Sequence, residues 1–435
     1  MENELTRVSV VIIGGGQAGL SASYCLAKQG ITDQVIFERN RVAYSWSHER
    51  WDSFCLVTPN FQCRLPDHPY DGEDPEGFMV KDEIVDFVKR FAEKVEAPIH
   101  QGVDVIAVRR LKEGGFEVET TKGTWLCDSV VSAIGSFHRP VLPKGANDIP
   151  ADIEQIFATD YKNPEQLPEG GIAIVGNGQS GCQIAEDLKL VGRQVHLYMG
   201  NAPRSPRKYR GKDAVTWLEE MGYYETCFDE HPDPEKARGG TNHYLTGRDG
   251  GREIDLRKFA MEGVKLYGYL EEVSETGFRS RPDVKERLDK ADRSYIGICR
   301  RIDEYITENG ISAPEEAPYV PCWDPPENMD TELDFEKDKI SSVIWCLGFR
   351  PDFSFIESDA FDDRGFPLHK RGVGLDEGLY YLGLPWLHTW GSSRFAGIAQ
   401  DAEHVAQKIV ERSKQASSWT APKSNQTEAL GSKTA

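Results

Sequence analysis

Twice along this chain a short apolar strand runs into a glycine-rich turn and then a helical pattern, and few folds are open to a chain that repeats this unit. The first copy carries Val8–Ile13 (VSVVII) into Gly14-Gly15-Gly16-Gln17-Ala18-Gly19, a helical run closed by Gly30, and a second strand from Gln34 that ends at Glu38. Gly14 permits the tight turn, Gly16 lets a pyrophosphate reach the backbone, and Gly19 lets helix and strand pack closely. Gly15 completes the turn, and the helix start at Gln17 and Ala18 offers amide donors and a partial positive charge to an anion. An acid about 20 residues on, here Glu38, accepts hydrogen bonds from a ribose diol. The second copy takes GIAIV at 171–175 into Gly176-Asn177-Gly178-Gln179-Ser180-Gly181, a helix to Gly192 and a strand from Gln194 to Tyr198. The expected fold class is α/β, with two nested Rossmann-like dinucleotide-binding units.

The two second strands end differently. Where the first has Glu38, the second has Gly200-Asn201 with no acid, followed by Arg204, Arg207, Lys208, Arg210 and Lys212. The whole chain carries a formal charge of −20, so such a basic island calls for a local anion. A missing acid with an arginine nearby is how a site accepts the 2′-phosphate of NADP(H). The first site therefore reads as FAD, and the second as NADPH with Arg204 and Arg207 as phosphate ligands. The same charge disfavours nucleic acid and anionic membrane surfaces as partners.

The length of 435 residues suits two to three domains at about 150 residues each. Val130–Gly135 and Val343–Gly348 are apolar strands that both stop at glycine, which suggests that the chain leaves the first domain near the former and returns near the latter. The expected division is a discontinuous FAD domain (1–168 and 335–415), an inserted NADP(H) domain (169–334) and a disordered tail (416–435) rich in Ser, Thr and Ala. Residues 226–252 read as a polar loop, and 284–308 as a helix on the surface in preference to a pocket wall. Nine cysteines without a CxxC pair suit reduced thiols in a cytoplasmic protein, no metal-ligand spacing is present, and no apolar run is long enough for a membrane helix.

These motifs, with the run Ser45-Trp46-Ser47-His48-Glu49-Arg50-Trp51-Asp52-Ser53, Leu56–Asn60 and Gly378–Gly391, resemble the class B flavoprotein monooxygenases. That group comprises the flavin-containing, N-hydroxylating and Baeyer–Villiger enzymes. Within it the chain is most similar to the flavin-dependent oxidoreductases of nitrilase-containing gene clusters linked to cyanide assimilation. The resemblance implies hydride transfer from NADPH to FAD, then a C4a-(hydro)peroxyflavin that oxygenates a small molecule with O2. It implies that Asn60, which also fits a turn after Pro59, hydrogen-bonds the flavin, and that Trp46 lies near the pyrophosphate and ring. Ser392 and Ser393 are good N-caps for a helix whose amides would face the flavin O2 edge, with Arg394 and His388 close by. Phe157 stands where the family fingerprint carries a His, which makes oxygenation at nitrogen or sulfur the expectation over Baeyer–Villiger chemistry. An NADPH oxidase and a disulfide reductase remain as alternatives, and a homodimer stays open.

Overall fold

Near-continuous apolar runs suit strands covered on both faces, and the chain uses them in two parallel sheets. The computed structural model describes residues 6–418. The first lobe opens with β1 (Thr6–Ile13), α1 (Gln17–Lys28), β2 (Gln34–Glu38), the short α2 (Tyr44–His48), α3 (Lys81–Ala92) and β3 (Ile99–Gln101). A meander follows, β4 (Val105–Arg110), β5 (Phe116–Thr120) and β6 (Gly123–Ser132). Strands β6, β1, β2 and β3 lie side by side and parallel. Helix α3 turns Ile84, Phe87, Val88 and Phe91 into the core, the i, i+3, i+4, i+7 stripe of an amphipathic helix.

The chain then crosses through β7 (Arg139–Pro140) to the second lobe: β8 (Glu154–Phe157), β9 (Gly171–Val175), α4 (Gln179–Leu190), β10 (Val195–Tyr198) and β11 (Lys265–Tyr267). Beyond these come β12 (Leu270–Val273), β13 (Gly277–Ser280), the long α5 (Val284–Glu308), β14 (Glu332–Asp334) and β15 (Ile340–Trp345). The second sheet has the order β8-β15-β9-β10-β11, all parallel, and β12, β13 and β14 form a small antiparallel sheet. The return strand β16 (Phe349–Arg350) pairs antiparallel with β7, so the two crossings run side by side. Strand β17 (Leu379–Tyr381) then joins β6 in parallel, and α6 (Ile398–Ser418) packs Ile398, Ala402 and Val405 into the same core as Leu20 and Leu26 of α1.

The domain limits at 168/169 and 334/335 need correction. Strands β8 and β15 both belong to the second sheet, because Val343 and Ile344 pair with Gln155 and Ile156 on one side and Ala173 and Ile174 on the other. A strand buried on both faces needs both neighbours, so the change of lobe falls at β7 and β16. The expected tail from 416 meets α6, which runs to Ser418; the rest of it lies outside the described residues. The lobes are joined at Asp187 of α4, which is 5% exposed. Its carboxylate accepts from Ser53 Oγ at 2.7 Å, Tyr161 Oη at 2.7 Å and Arg248 Nη1 at 2.6 Å.

Candidate cofactor and active site

Gly14 leaves β1 with φ of +103°, and a Cβ there would stand 2.8 Å from the Ala133 carbonyl oxygen. On α1, a Cβ at Gly19 would stand 1.8 Å from the Gly14 carbonyl oxygen, so the helix sits directly on the strand end. At Gly16 the opposite holds: nothing lies within 4 Å of a Cβ, and no side chain caps α1. The unbonded amides of the helix start therefore face open space, the cradle that a pyrophosphate fits. The Glu38 carboxylate accepts from the amides of Gly15 at 2.7 Å and Asn40 at 2.8 Å, which holds it at the mouth of the turn. Ala18 is buried at the Gly383 backbone, and Trp46 donates through Nε1 to Gln17 Oε1 at 3.3 Å while stacking on Phe395.

Beside them Arg50 lies over the rings of Trp46 and Phe54. Its guanidinium donates to the Glu49 carbonyl at 2.7 Å, and burial lowers its pKa. Among the described residues no carboxylate lies within salt-bridge distance of it. Desolvated cations without a counter-ion are costly, so Arg50 completes a donor set suited to FAD. Sequence reasoning passed over it, although a lone cation inside the aromatic run Trp46–Trp51 was a visible signal.

The second turn repeats the geometry. A Cβ at Gly181 would stand 1.8 Å from the Gly176 carbonyl oxygen, Gly176 has φ of +108°, and Gly178 has only Thr241 nearby, at 3.7 Å. No side chain caps α4. Gln179 and Ser180 start that helix, and Gln179 Nε2 donates to the Leu245 carbonyl. The Asn177 side-chain oxygen accepts from the Gly200 amide at 2.7 Å. At the tip of β10, Asn201 Oδ1 accepts from Arg287 Nη1 at 3.3 Å and Lys290 Nζ at 3.1 Å, both from α5. Helix α5 turns Leu288, Ala291, Tyr295 and Ile298 inward and leaves Lys290 exposed at the place where an acid would stand, whereas Arg287 is held by the Asp283 carboxylate, at 2.9 Å through Nε and 2.5 Å through Nη2.

Two expected ligands sit elsewhere than anticipated. Arg204 is 1% exposed and Arg207 is 2% exposed. Arg204 pairs with Glu253, with Asp255 at 3.0 Å and with Asp292 at 2.8 Å, between the rings of Tyr295 and Tyr319. Arg207 pairs with Asp213 at 2.7 Å and donates to the Val57 carbonyl at 2.7 Å. The acid-rich interior consumes the basic island, so the assignment of these two arginines to a 2′-phosphate is corrected. Asn60 is buried and bonded to backbone: its Nδ2 donates to the Asp74 carbonyl at 2.9 Å and its Oδ1 accepts from the Met79 amide at 2.7 Å. It staples the loop 74–79 with one Nδ2–H and one Oδ1 lone pair, which leaves one of each on the amide.

Ser392 and Ser393 do not cap the helix. They lie inside a 3₁₀ turn, Trp390–Ser393, capped by Thr389, and α6 begins only at Ile398. The reason is Gly391 and Gly397, whose backbones touch so closely that a Cβ on either would lie within 3 Å of the other; the chain folds over itself before entering the helix. Ser392 Oγ accepts from the amides of His388 at 2.9 Å and Thr389 at 3.0 Å. His388 contacts Cys227 Sγ through Nε2 at 3.5 Å, and burial and the nearby Arg371 pull its pKa down.

Asp401, in the first turn of α6, is 1% exposed and its Oδ2 has no partner. Burial pushes its carboxyl up to about 7, against a hydrogen bond from Ser392 and the charge of Arg371. A folded pKa above the unfolded value of about 3.9 means that folding takes up a proton. The stability gained is whole below the unfolded value and is lost as pH rises through 7. Asp401→Asn is therefore expected to match the parent in Tm at pH 4, to gain on it as pH rises to 7, and to keep an advantage of several degrees at pH 8. Thermal unfolding across that range checks this, and a Tm difference that does not vary with pH contradicts it.

A family profile described as pyridine nucleotide-disulphide oxidoreductase matches residues 11–221. An uncharacterized oxidoreductase CzcO-like from Geobacillus kaustophilus is 30% identical over 405 residues, covering 93% of this chain and 98% of that protein. The chain belongs to the CzcO-like oxidoreductases. With them it is a flavin-dependent oxidoreductase, and its cofactors are FAD and NADPH. Indole-3-pyruvate monooxygenase YUCCA1 of Oryza sativa subsp. japonica is 29% identical over 205 residues, 44% of this CzcO-like chain and 47% of that protein. A flavin-containing monooxygenase from Stenotrophomonas maltophilia shares the fold, with a TM-score of 0.66 at 20% identity over 94% of this chain and 100% of that one. The disulphide chemistry in the profile's description finds no thiol pair in this CzcO-like chain. All nine cysteines are free, and burial pushes Cys55 up to about 11 and Cys63 up to about 12, far from the reactive thiolate range. Among the described residues no helix is long and apolar enough to cross a membrane.

Proposed function

We propose that this oxidoreductase is an NADPH-consuming FAD monooxygenase that oxygenates a small molecule at nitrogen or sulfur. The observation that carries the reading is the pairing of two glycine turns of matched geometry with thiols that are all unpaired. Electrons entering by the nicotinamide have no disulfide to leave by among the described residues, and the likeness to flavin-containing monooxygenases favours O2 as the acceptor. FAD, when bound, supplies the two-electron relay and the oxygen activation. The chain's own residues do the rest. The helix starts behind Gly16 and Gly178 hold the pyrophosphates, Glu38 takes the ribose diol, and the packing of Trp46 on Phe395 walls the ring side of the first turn. The balance is one substrate, one O2, one NADPH and a proton giving the N- or S-oxide, NADP+ and water.

The test is NADPH oxidation by the holoenzyme under ¹⁸O2 with amines and thioethers as candidate substrates. Substrate-stimulated turnover with ¹⁸O in the product is expected. NADPH oxidation that is indifferent to every substrate and yields stoichiometric hydrogen peroxide makes the chain an NADPH oxidase instead.

For the nucleotide, the same reading moves the 2′-phosphate contact to Lys290 beside Asn201. Lys290 is exposed, so its removal spares the core. Lys290→Ala is expected to weaken NADP+ binding about tenfold, ~1.4 kcal/mol, with NAD+ binding unchanged in parallel calorimetric titrations. Equal losses for both nucleotides place the phosphate elsewhere.

A further inference from the structure

Arg394 is a half-buried guanidinium that lacks a counter-ion among the described residues, and its setting differs from that of Arg50. Among the described residues no carboxylate comes within salt-bridge distance. Its Nη1 donates to the Trp390 carbonyl, its Nη2 donates to Asn242 Oδ1 at 2.8 Å, and its Cζ lies 3.9 Å from the centre of the Trp390 ring. Burial pulls its pKa down to about 10, which leaves it charged at neutral pH. In a chain of net charge −20 this cation is balanced only by dipoles and a π face, an arrangement that costs stability unless an anion arrives.

The position is as informative as the charge. The next residue, Phe395, stacks on Trp46, which is bonded to Gln17 of the first glycine turn. On the other side, Asn242 follows Thr241, the residue nearest to Gly178 of the second turn. Arg394 thus links the two nucleotide turns across the lobes. The pyrophosphates already have seats at Gly16 and Gly178, each over a helix start. What surrounds Arg394 instead is aromatic: Tyr224 packs on Trp390 with centroids 4.5 Å apart, and Tyr223 meets Tyr224 edge-on at 5.4 Å.

We propose that Arg394 anchors the carboxylate of the substrate, with Trp390 and Tyr224 forming the wall against which its flat or apolar body lies, so that the enzyme acts on small organic acids. Resting on the monooxygenase reading, this names the substrate class for that site. Planar guanidinium and carboxylate groups pair through two parallel hydrogen bonds, which fixes orientation as well as affinity.

The test uses the FAD-loaded full chain and matched pairs of probes, 4-(methylthio)phenylacetate and 4-(dimethylamino)phenylacetate against their methyl esters, titrated by perturbation of the flavin spectrum. Each acid is expected to bind at least tenfold tighter than its ester. Arg394→Met is expected to erase that difference while leaving FAD content and NADP+ affinity unchanged, and Arg394→Lys to restore part of it. Acids and esters that bind the parent enzyme equally, or no acid binding at all, overturn the proposal. So does an Arg394→Met protein that keeps its acid preference and loses NADP+ or FAD affinity, since the anion is then a cofactor phosphate. NADPH-driven O2 uptake is recorded in the same samples. Its absence removes the monooxygenase reading, whereas the acid-over-ester preference is judged by binding alone.

Discussion

Gly16→Ala is expected to produce a folded protein that has lost its FAD, whereas Gly19→Ala is expected to damage the fold itself. The two glycines stand three residues apart in one motif but meet opposite surroundings. A methyl at Gly16 touches nothing within 4 Å, and the residue has φ of −80°, which any amino acid adopts. Its cost falls on the ligand, because the methyl occupies the space over the α1 amides. Affinity for FAD should drop about 100-fold, ~2.7 kcal/mol, in a fluorescence titration of apoprotein, while urea unfolding of the apoprotein changes by no more than ~0.5 kcal/mol. A methyl at Gly19 would lie 1.8 Å from the Gly14 carbonyl oxygen, and backbone cannot yield as a side chain can. Helix α1 would have to lift from β1, an overpacking cost of about 3 kcal/mol or more. Full retention of yellow colour in Gly16→Ala removes the pyrophosphate from this turn.

Arg204→Met should lower stability by about 3–5 kcal/mol, the penalty for leaving a buried pair without one partner. Glu253, Asp255 and Asp292 all converge on this guanidinium, and methionine of similar length fills the space between Tyr295 and Tyr319 without answering their charge. Asp292 keeps its bond to Arg257 at 2.9 Å, so the loss stops short of total collapse. The midpoint of urea unfolding is the measurement, with NADP+ and NAD+ affinities recorded on the folded fraction. The ratio of the two affinities is expected to stay at the parent's value. A variant with unchanged stability and a selective loss of NADP+ would return Arg204 to the phosphate site.

Much of the first lobe was legible because its determinants are local. A glycine is needed wherever backbone meets backbone, and Gly14, Gly19, Gly176 and Gly181 announce that need in the spacing alone. Helices α3 and α5 were equally plain, since an apolar stripe at helical period has one use. The misplaced features share a different cause. Arg204 and Arg207 look identical in sequence whether they face a phosphate or a carboxylate; the acids that decide Arg204, Glu253, Asp255 and Asp292, lie far along the chain, and Asp213, which decides Arg207, is turned toward it by the fold. Ser392 and Ser393 carry the right chemistry for a helix cap, but the contact between Gly391 and Gly397 delays the helix to Ile398.

By itself the sequence determined that this protein is built on two dinucleotide turns, because the steric demand of a strand-to-helix turn is met within a dozen residues and needs no distant partner. Only the tertiary structure decided which cations are already neutralised and which are free to meet a ligand. Charge is settled by whatever lies within a few ångströms in space: Arg204 is consumed by three carboxylates and Arg287 by Asp283, Lys290 is brought by α5 to Asn201, and Arg394 is left with an aromatic face and no acid in salt-bridge distance.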